Sequence, residues 1–141
     1  MIKKVFILFT FLICLSCTDT TENNDVLPFV QVNVTVDLNL PQFLDLRVPG
    51  GWAYSSGGIS GIIIYNLNGN QFKAFERSCP HIPVSNCTRM QVENNIKMKC
   101  LCDDSEFNIL NGSPITSGID KFAREYLVTN LNGTILRITN F

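Results

Sequence analysis

Four of the chain's six cysteines and its only histidine fall between Ser78 and Phe107. They form two short boxes, Cys79-Pro80-His81 and Cys100-Leu101-Cys102-Asp103-Asp104-Ser105-Glu106-Phe107, with 18 residues between His81 and Cys100 and with Cys87 inside that interval. Thiols gathered this densely in an exported chain are used for disulfides, for a metal, or for one of each. That choice constrains the fold more than composition does.

Export is read from the N-terminus. Lys3 and Lys4 precede an almost unbroken apolar run from Val5 to Leu15, too short to remain in a bilayer as a spanning helix. The run ends at Leu15-Ser16-Cys17, which resembles a bacterial lipobox. Residues 1–16 are therefore expected to be a lipoprotein signal peptide, with Cys17 carrying the lipid. Cys14 stands where an aliphatic residue is usual, and an ordinary secretory signal with a stray cysteine is the alternative. Residues 17–28 read as a flexible acidic tether, since Thr18 to Asp25 offers no apolar side chain to bury. The expected location is the bacterial cell envelope, on the outer membrane or the periplasmic face. Removing residues 1–16 takes away two lysines and no acid, which leaves 9 basic and 12 acidic side chains and a net charge of −3. With no basic run and no basic aromatic patch, nucleic acid is not a partner.

The remaining 29–141 is one domain's worth of chain. Val30, Val32, Val34, Val36, Leu38 and Leu40 alternate with polar residues, the period of a half-buried strand that Pro41 stops. Trp52-Ala53-Tyr54 starts a short aromatic strand. Ile59 to Tyr65 is largely β-branched, and Gln71 to Glu76 returns from a hairpin turn at Asn68-Gly69. The same pair recurs at Asn111-Gly112 and Asn132-Gly133, the last joining Tyr126–Thr129 to Thr134–Thr139. Asn-Gly between apolar runs predicts a two-residue turn with positive φ at both positions. No sustained helical stripe occurs, so the fold class is all-β, with short antiparallel strands.

The two boxes resemble those of the Rieske family, in which two loops grip a [2Fe–2S] cluster, two cysteines holding one iron and two histidines the other. The resemblance implies a layered antiparallel β sandwich with a small loop-bearing subdomain. It assigns Cys79 and Cys100 as thiolate ligands and His81 as the first imidazole ligand. It makes Ser105 a hydrogen-bond donor to cluster sulfur, and Cys87 and Cys102 a disulfide between the loops. The second box departs from the family: Asp103 stands at the second histidine and Asp104 at a glycine. It is similar to that of small bacterial Rieske-like lipoproteins with a C-x-C-D-D-S-E sequence. In loop one, Cys87 lies six residues after His81 rather than the usual three.

Two functions follow. With Asp103 as the fourth ligand, the domain is a one-electron carrier serving an unnamed redox partner, and the extra negative charge lowers its potential. Alternatively it is a clusterless, disulfide-stapled binding or structural module, with Asp103 and Asp104 simply shaping a turn and His81 capping one or facing solvent. Exported Rieske proteins with a cluster typically use a twin-arginine signal; here the first arginine is Arg47. A general secretory route would instead allow Cys79–Cys100 and Cys87–Cys102 to oxidise. Zinc on Cys79, His81, Cys100 and Asp103 is a third arrangement, though C-x-H fits zinc spacing poorly. No nucleophile motif or phosphate loop supports a stand-alone enzyme.

Overall fold

The computed structural model describes residues 25–141. The expected signal segment, Cys17 and most of the tether lie outside the described residues. The strands, in chain order, are β1 (Asn33–Asp37), β2 (Trp52–Ser55), β3 (Ile62–Asn66), β4 (Phe72–Glu76), β5 (Gln91–Glu93), β6 (Lys97–Lys99), β7 (Glu106–Asn108), β8 (Glu125–Asn130) and β9 (Ile135–Thr139), with a 3-10 helix at Pro41–Arg47. They form an antiparallel six-stranded sheet, β1-β9-β8-β4-β3-β2, and a three-stranded sheet, β5-β6-β7.

The β3–β4 hairpin is central. Every residue of β3 is buried, because its two faces serve different cores. Ile62 and Ile64, with Phe72 and Ala74 of β4, join Val36, Phe43, Leu46, Leu136 and Ile138 in one cluster. Ile63 and Tyr65, with Phe75, join Met98, Phe107, Ile109, Cys79 and Cys100 in the other. A strand buried on both faces reads as a continuous apolar run rather than an alternation, and each buried isoleucine contributes roughly 1.5–3 kcal/mol. The three-stranded sheet covers the second core, and this fixes the loops at its ends.

The first strand is shorter than its alternation implies. Val32, Val36 and Leu38 are buried, but Leu40 is 44% exposed. The strand stops before Pro41 because Asp37 Oδ1 accepts the Asn39 N–H at 2.9 Å and the Leu40 N–H reaches the Asp37 carbonyl at 3.1 Å. That turn carries Leu40 off the core face. Pro41 then opens the 3-10 helix, where its missing N–H costs nothing.

The end of the expected tether is held against the domain. Arg124 Nη2 holds the Asp25 carboxylate and the Leu27 carbonyl, each at 2.7 Å, and its Nη1 donates to the Pro28 carbonyl at 2.6 Å. Leu27, within the expected tether, is 2% exposed.

The Asn-Gly turns differ from the two-residue expectation. In each, the glycine alone has positive φ: Gly69 94°, Gly112 72° and Gly133 86°. The asparagine works through its side chain, as when Asn132 Oδ1 accepts the N–H groups of Thr134 at 3.1 Å and Ile135 at 2.9 Å. Positive φ at two successive non-glycine residues occurs instead at Asn94 (51°) and Asn95 (60°), between β5 and β6. Asparagine tolerates that region better than most residues. The contrast is testable by denaturant unfolding. Asn132→Gly removes the acceptor and lowers stability by about 1 kcal/mol. Asn94→Gly relieves a left-handed side chain and leaves stability unchanged or raises it by less than ~1 kcal/mol. Stabilisation by Asn132→Gly would contradict this account of the turn.

Candidate functional site

Two loops meet over the second core. The first leaves β4 at Arg77 and closes on itself. Ser78 and Arg89 form an isolated antiparallel bridge, the Met90 N–H donates to the Arg77 carbonyl at 2.6 Å, and the Cys79 N–H donates to the Thr88 carbonyl at 2.8 Å. The second joins β6 to β7, with the Cys100 N–H on the Ser105 carbonyl at 2.8 Å. Asp104 has φ of 61° at its tip, the left-handed conformation that glycine adopts most easily. Its carboxylate lies 3.0 Å from Lys99 Nζ.

Both loops are cross-linked twice. Cys79 is bonded to Cys100 with Cα atoms 5.7 Å apart, and Cys87 to Cys102 with Cα atoms 4.9 Å apart. The first bridge is wholly buried, Cys79 and Cys100 both being 0% exposed. The second lies at the surface, Cys87 being exposed and Cys102 half-buried. A loop of this length closed by one disulfide is stabilised by about 3 kcal/mol, and a second bridge over the same loops adds less.

The remaining site residues form a polar group beside the buried bridge. His81 Nε2 lies 2.7 Å from Asp103 Oδ2. Ser105 donates to Asp103 Oδ1 through its hydroxyl at 2.7 Å and through its backbone N–H at 3.1 Å. The Ser105 hydroxyl also lies 3.4 Å from His81 Nε2. Partial burial pushes the Asp103 pKa up, but the hydrogen bonds from His81 and Ser105 outweigh it and hold the carboxyl below its ordinary value. His81 Nδ1 is buried without a hydrogen-bond partner among the described residues, and the Phe107 ring centre is 5.8 Å from that of the imidazole.

The structure therefore brings together every residue that the sequence singled out in the two loops. Their bonding in this state does not fit a [2Fe–2S] cluster. Cys79 and Cys100 are bonded to each other instead of presenting two thiolates, and Asp103 is engaged by His81 and Ser105. The same bonding is incompatible with zinc on that set. Among the described residues, no group of three or more His, Cys, Asp or Glu side chains is placed to hold a metal ion.

One organising residue escaped the sequence reading. Glu76, the last residue of β4, is 0% exposed. Its carboxylate accepts the N–H groups of Ile59 at 2.7 Å, Ser60 at 2.9 Å and Ser78 at 3.0 Å, and the Tyr126 hydroxyl at 2.8 Å. The Gly58 backbone runs so close that a Cβ there would strike Glu76 Oε2. The only clue in the sequence is an acid where the strand pattern wants an apolar residue.

Burial, and then the hydrogen bond to Glu76, push the Tyr126 phenol above its ordinary pKa. The unfolded chain releases that proton near pH ~10 while the folded chain retains it, so stability falls as pH rises past that point, by about 1.4 kcal/mol per pH unit. Tyr126→Phe removes this part of the alkaline slope and lowers stability at neutral pH by ~1–3 kcal/mol. Unfolding free energies measured from about pH 8 to 11 test the linkage; equal slopes in the two proteins would refute it.

No family model matches the sequence, and no curated protein does. Solved structures do match. The ferredoxin of carbazole 1,9a-dioxygenase from Nocardioides aromaticivorans IC177 superposes with a TM-score of 0.50 at 17% identity, over 80% of this chain and 100% of that one. A chain from a complex of reduced oxygenase and oxidized ferredoxin in carbazole 1,9a-dioxygenase gives a TM-score of 0.50 at 19% identity, over 79% and 94% of the two chains. At these identities the likeness concerns the fold alone: this chain has an all-β, Rieske-like fold.

Proposed function

We propose that this protein is an exported, lipid-anchored envelope protein whose Rieske-like domain acts as a clusterless binding module. The observation that carries the reading is the Cys79–Cys100 disulfide, sealed in the second core at the two positions that a cluster would need as free thiolates. The His81–Asp103–Ser105 hydrogen bonds fix the same loops without a metal. A secretory route into an oxidising compartment supplies the conditions for both bridges. A doubly stapled loop pair loses little entropy on contact with a partner. The exposed Val84 and Leu101, one from each loop, supply apolar surface for a protein partner. The partnership of ferredoxin and oxygenase in the structural neighbour supports a protein as the class of partner.

The second reading is the one-electron carrier, with a [2Fe–2S] cluster on Cys79, His81, Cys100 and Asp103. The gathering of these four residues in adjacent loops of a ferredoxin-like fold supports it. Protein isolated from its native envelope separates the two. The binding-module reading expects neither iron nor acid-labile sulfide and no free thiol at Cys79, Cys87, Cys100 or Cys102, with Asp103→His recruiting no iron. Stoichiometric iron and sulfide, with Cys79 and Cys100 reduced, would establish the carrier and overturn the module.

Anchoring rests on Leu15-Ser16-Cys17 at the end of the apolar run. Cys17→Ser is expected to block processing or to release the protein from membranes, as read by fractionation and by the mass of the N-terminal peptide. Normal cleavage with continued membrane attachment would contradict lipidation at Cys17.

A further inference from the structure

A second site lies at the root of the first loop, where the β2–β3 connection passes it. An open groove of about 540 Å³ is lined there by Tyr54, Ser56, Gly58 and Gly61 on one side and by Arg77 and Arg89 on the other. The two arginines are 12 residues apart in sequence. The antiparallel bridge between Ser78 and Arg89, with the Met90 N–H on the Arg77 carbonyl, draws the two backbone segments together, and both side chains line the groove.

Arg77 is positioned rather than free. Its guanidinium stacks 3.7 Å from the centre of the Tyr54 ring, and its Nε donates to the Met90 carbonyl at 3.2 Å. Gly61 leaves room for it, since a Cβ there would come within 3.1 Å of Arg77 Cδ. Stacking and the Nε bond use one face and one N–H, which leaves the outer Nη1 and Nη2 pair available. Tyr54 is itself fixed, its hydroxyl accepting the Val92 N–H at 3.0 Å.

The local charge is uncompensated. Among the described residues, neither Arg77 nor Arg89 forms a salt bridge, whereas Lys73, Lys97, Lys99 and Arg124 all do. The acid that bears on Arg77 is Glu76, which is buried and already surrounded by four donors. Burial lowers the Arg77 pKa, and the neighbouring Arg89 lowers it further. Two cations lining one groove are relieved by an anion between them.

We infer that this groove binds an oxyanion, and that its ligand carries a phosphate or sulfate group gripped by Arg77 and Arg89. Two guanidiniums present two planar N–H forks. A carboxylate is satisfied by one fork, whereas a tetrahedral dianion offers oxygens to both. The groove is larger than the ion itself, so the group belongs to a bigger polar molecule, with the Ser56 hydroxyl and the loop backbone at hand for the rest. This assignment does not depend on the state of the cysteines or on the membrane anchor.

The test is calorimetric titration of the full-length protein with inorganic phosphate at tens of millimolar, with ionic strength held constant by chloride so that screening is the same throughout. Saturable binding is expected, with sulfate competing and acetate not. Arg89→Gln alters an exposed side chain and leaves folding intact, and it should weaken binding at least about tenfold. Arg77→Lys keeps the charge but loses the fork and the stack, and should weaken it by about the same factor. Thermal unfolding of each variant without phosphate confirms that the domain is intact. Absence of saturable phosphate binding, or undiminished binding in the Arg77→Lys/Arg89→Gln double variant, would overturn the assignment.

Discussion

The buried carboxylate of Glu76 ties together the parts of the molecule that the sequence keeps apart. Leaving a carboxylate in a dry interior without donors is prohibitive, and each strong hydrogen bond to it recovers part of the loss. Its four donors come from the β2–β3 connection, from Ser78 near the start of the first loop, and from β8. The end of β4, the root of the cysteine-bearing loop and the C-terminal hairpin are thereby fixed to one another. An apolar replacement would take the acceptor from three backbone N–H groups, that of Ser78 fully buried and those of Ile59 and Ser60 partly so. The close approach of Gly58, the Arg77 stack and the entry angle of Cys79 all depend on where this carboxylate holds the backbone.

Upon that anchor the β3–β4 hairpin separates two cores. In the second, the buried disulfide behaves as a compact apolar group, packed with Met90, Met98 and Phe107. The C-x-C spacing in the second box sends its cysteines to different depths, Cys100 into the core and Cys102 to the surface. In an extended segment side chains two residues apart point to the same side; the tight turn after Cys100 departs from that geometry and separates the two in depth, while both still reach the first loop.

How much of this was legible depended on length and locality. The β3–β4 and β8–β9 hairpins were legible because each offers a run of five or so patterned residues. β5, β6 and β7 are three residues each, too short for a period to show. The Asn94-Asn95 turn lacks the glycine that marks such turns. The seven residues of the two loops were identifiable from the motif, and the Cys87–Cys102 bridge with them; the state of Cys79 and Cys100 was left open, since a thiol in a sequence is equally a ligand and half of a disulfide. Arg77 and Arg89 were invisible as a pair, because only the folded-back loop makes them neighbours. Glu76 was read only as the end of the returning strand.

Asp104 and Asp103 together give the second box its shape. At Asp104 the backbone adopts a left-handed conformation, with φ of 61°. Aspartate bears that conformation more readily than most side chains do, and its carboxylate lies beside Lys99. Asp103, at the position of the second imidazole ligand, turns its carboxylate to His81 and Ser105. The carboxylate accepts from a side chain of the other loop and from two groups of its own. It therefore holds the two loops in register through hydrogen bonds, as a bridging ligand would do through bonds to metal. With the buried disulfide beneath and the exposed one beside it, the loops are constrained at three points. Disulfides and hydrogen bonds between them make the two loops hold each other.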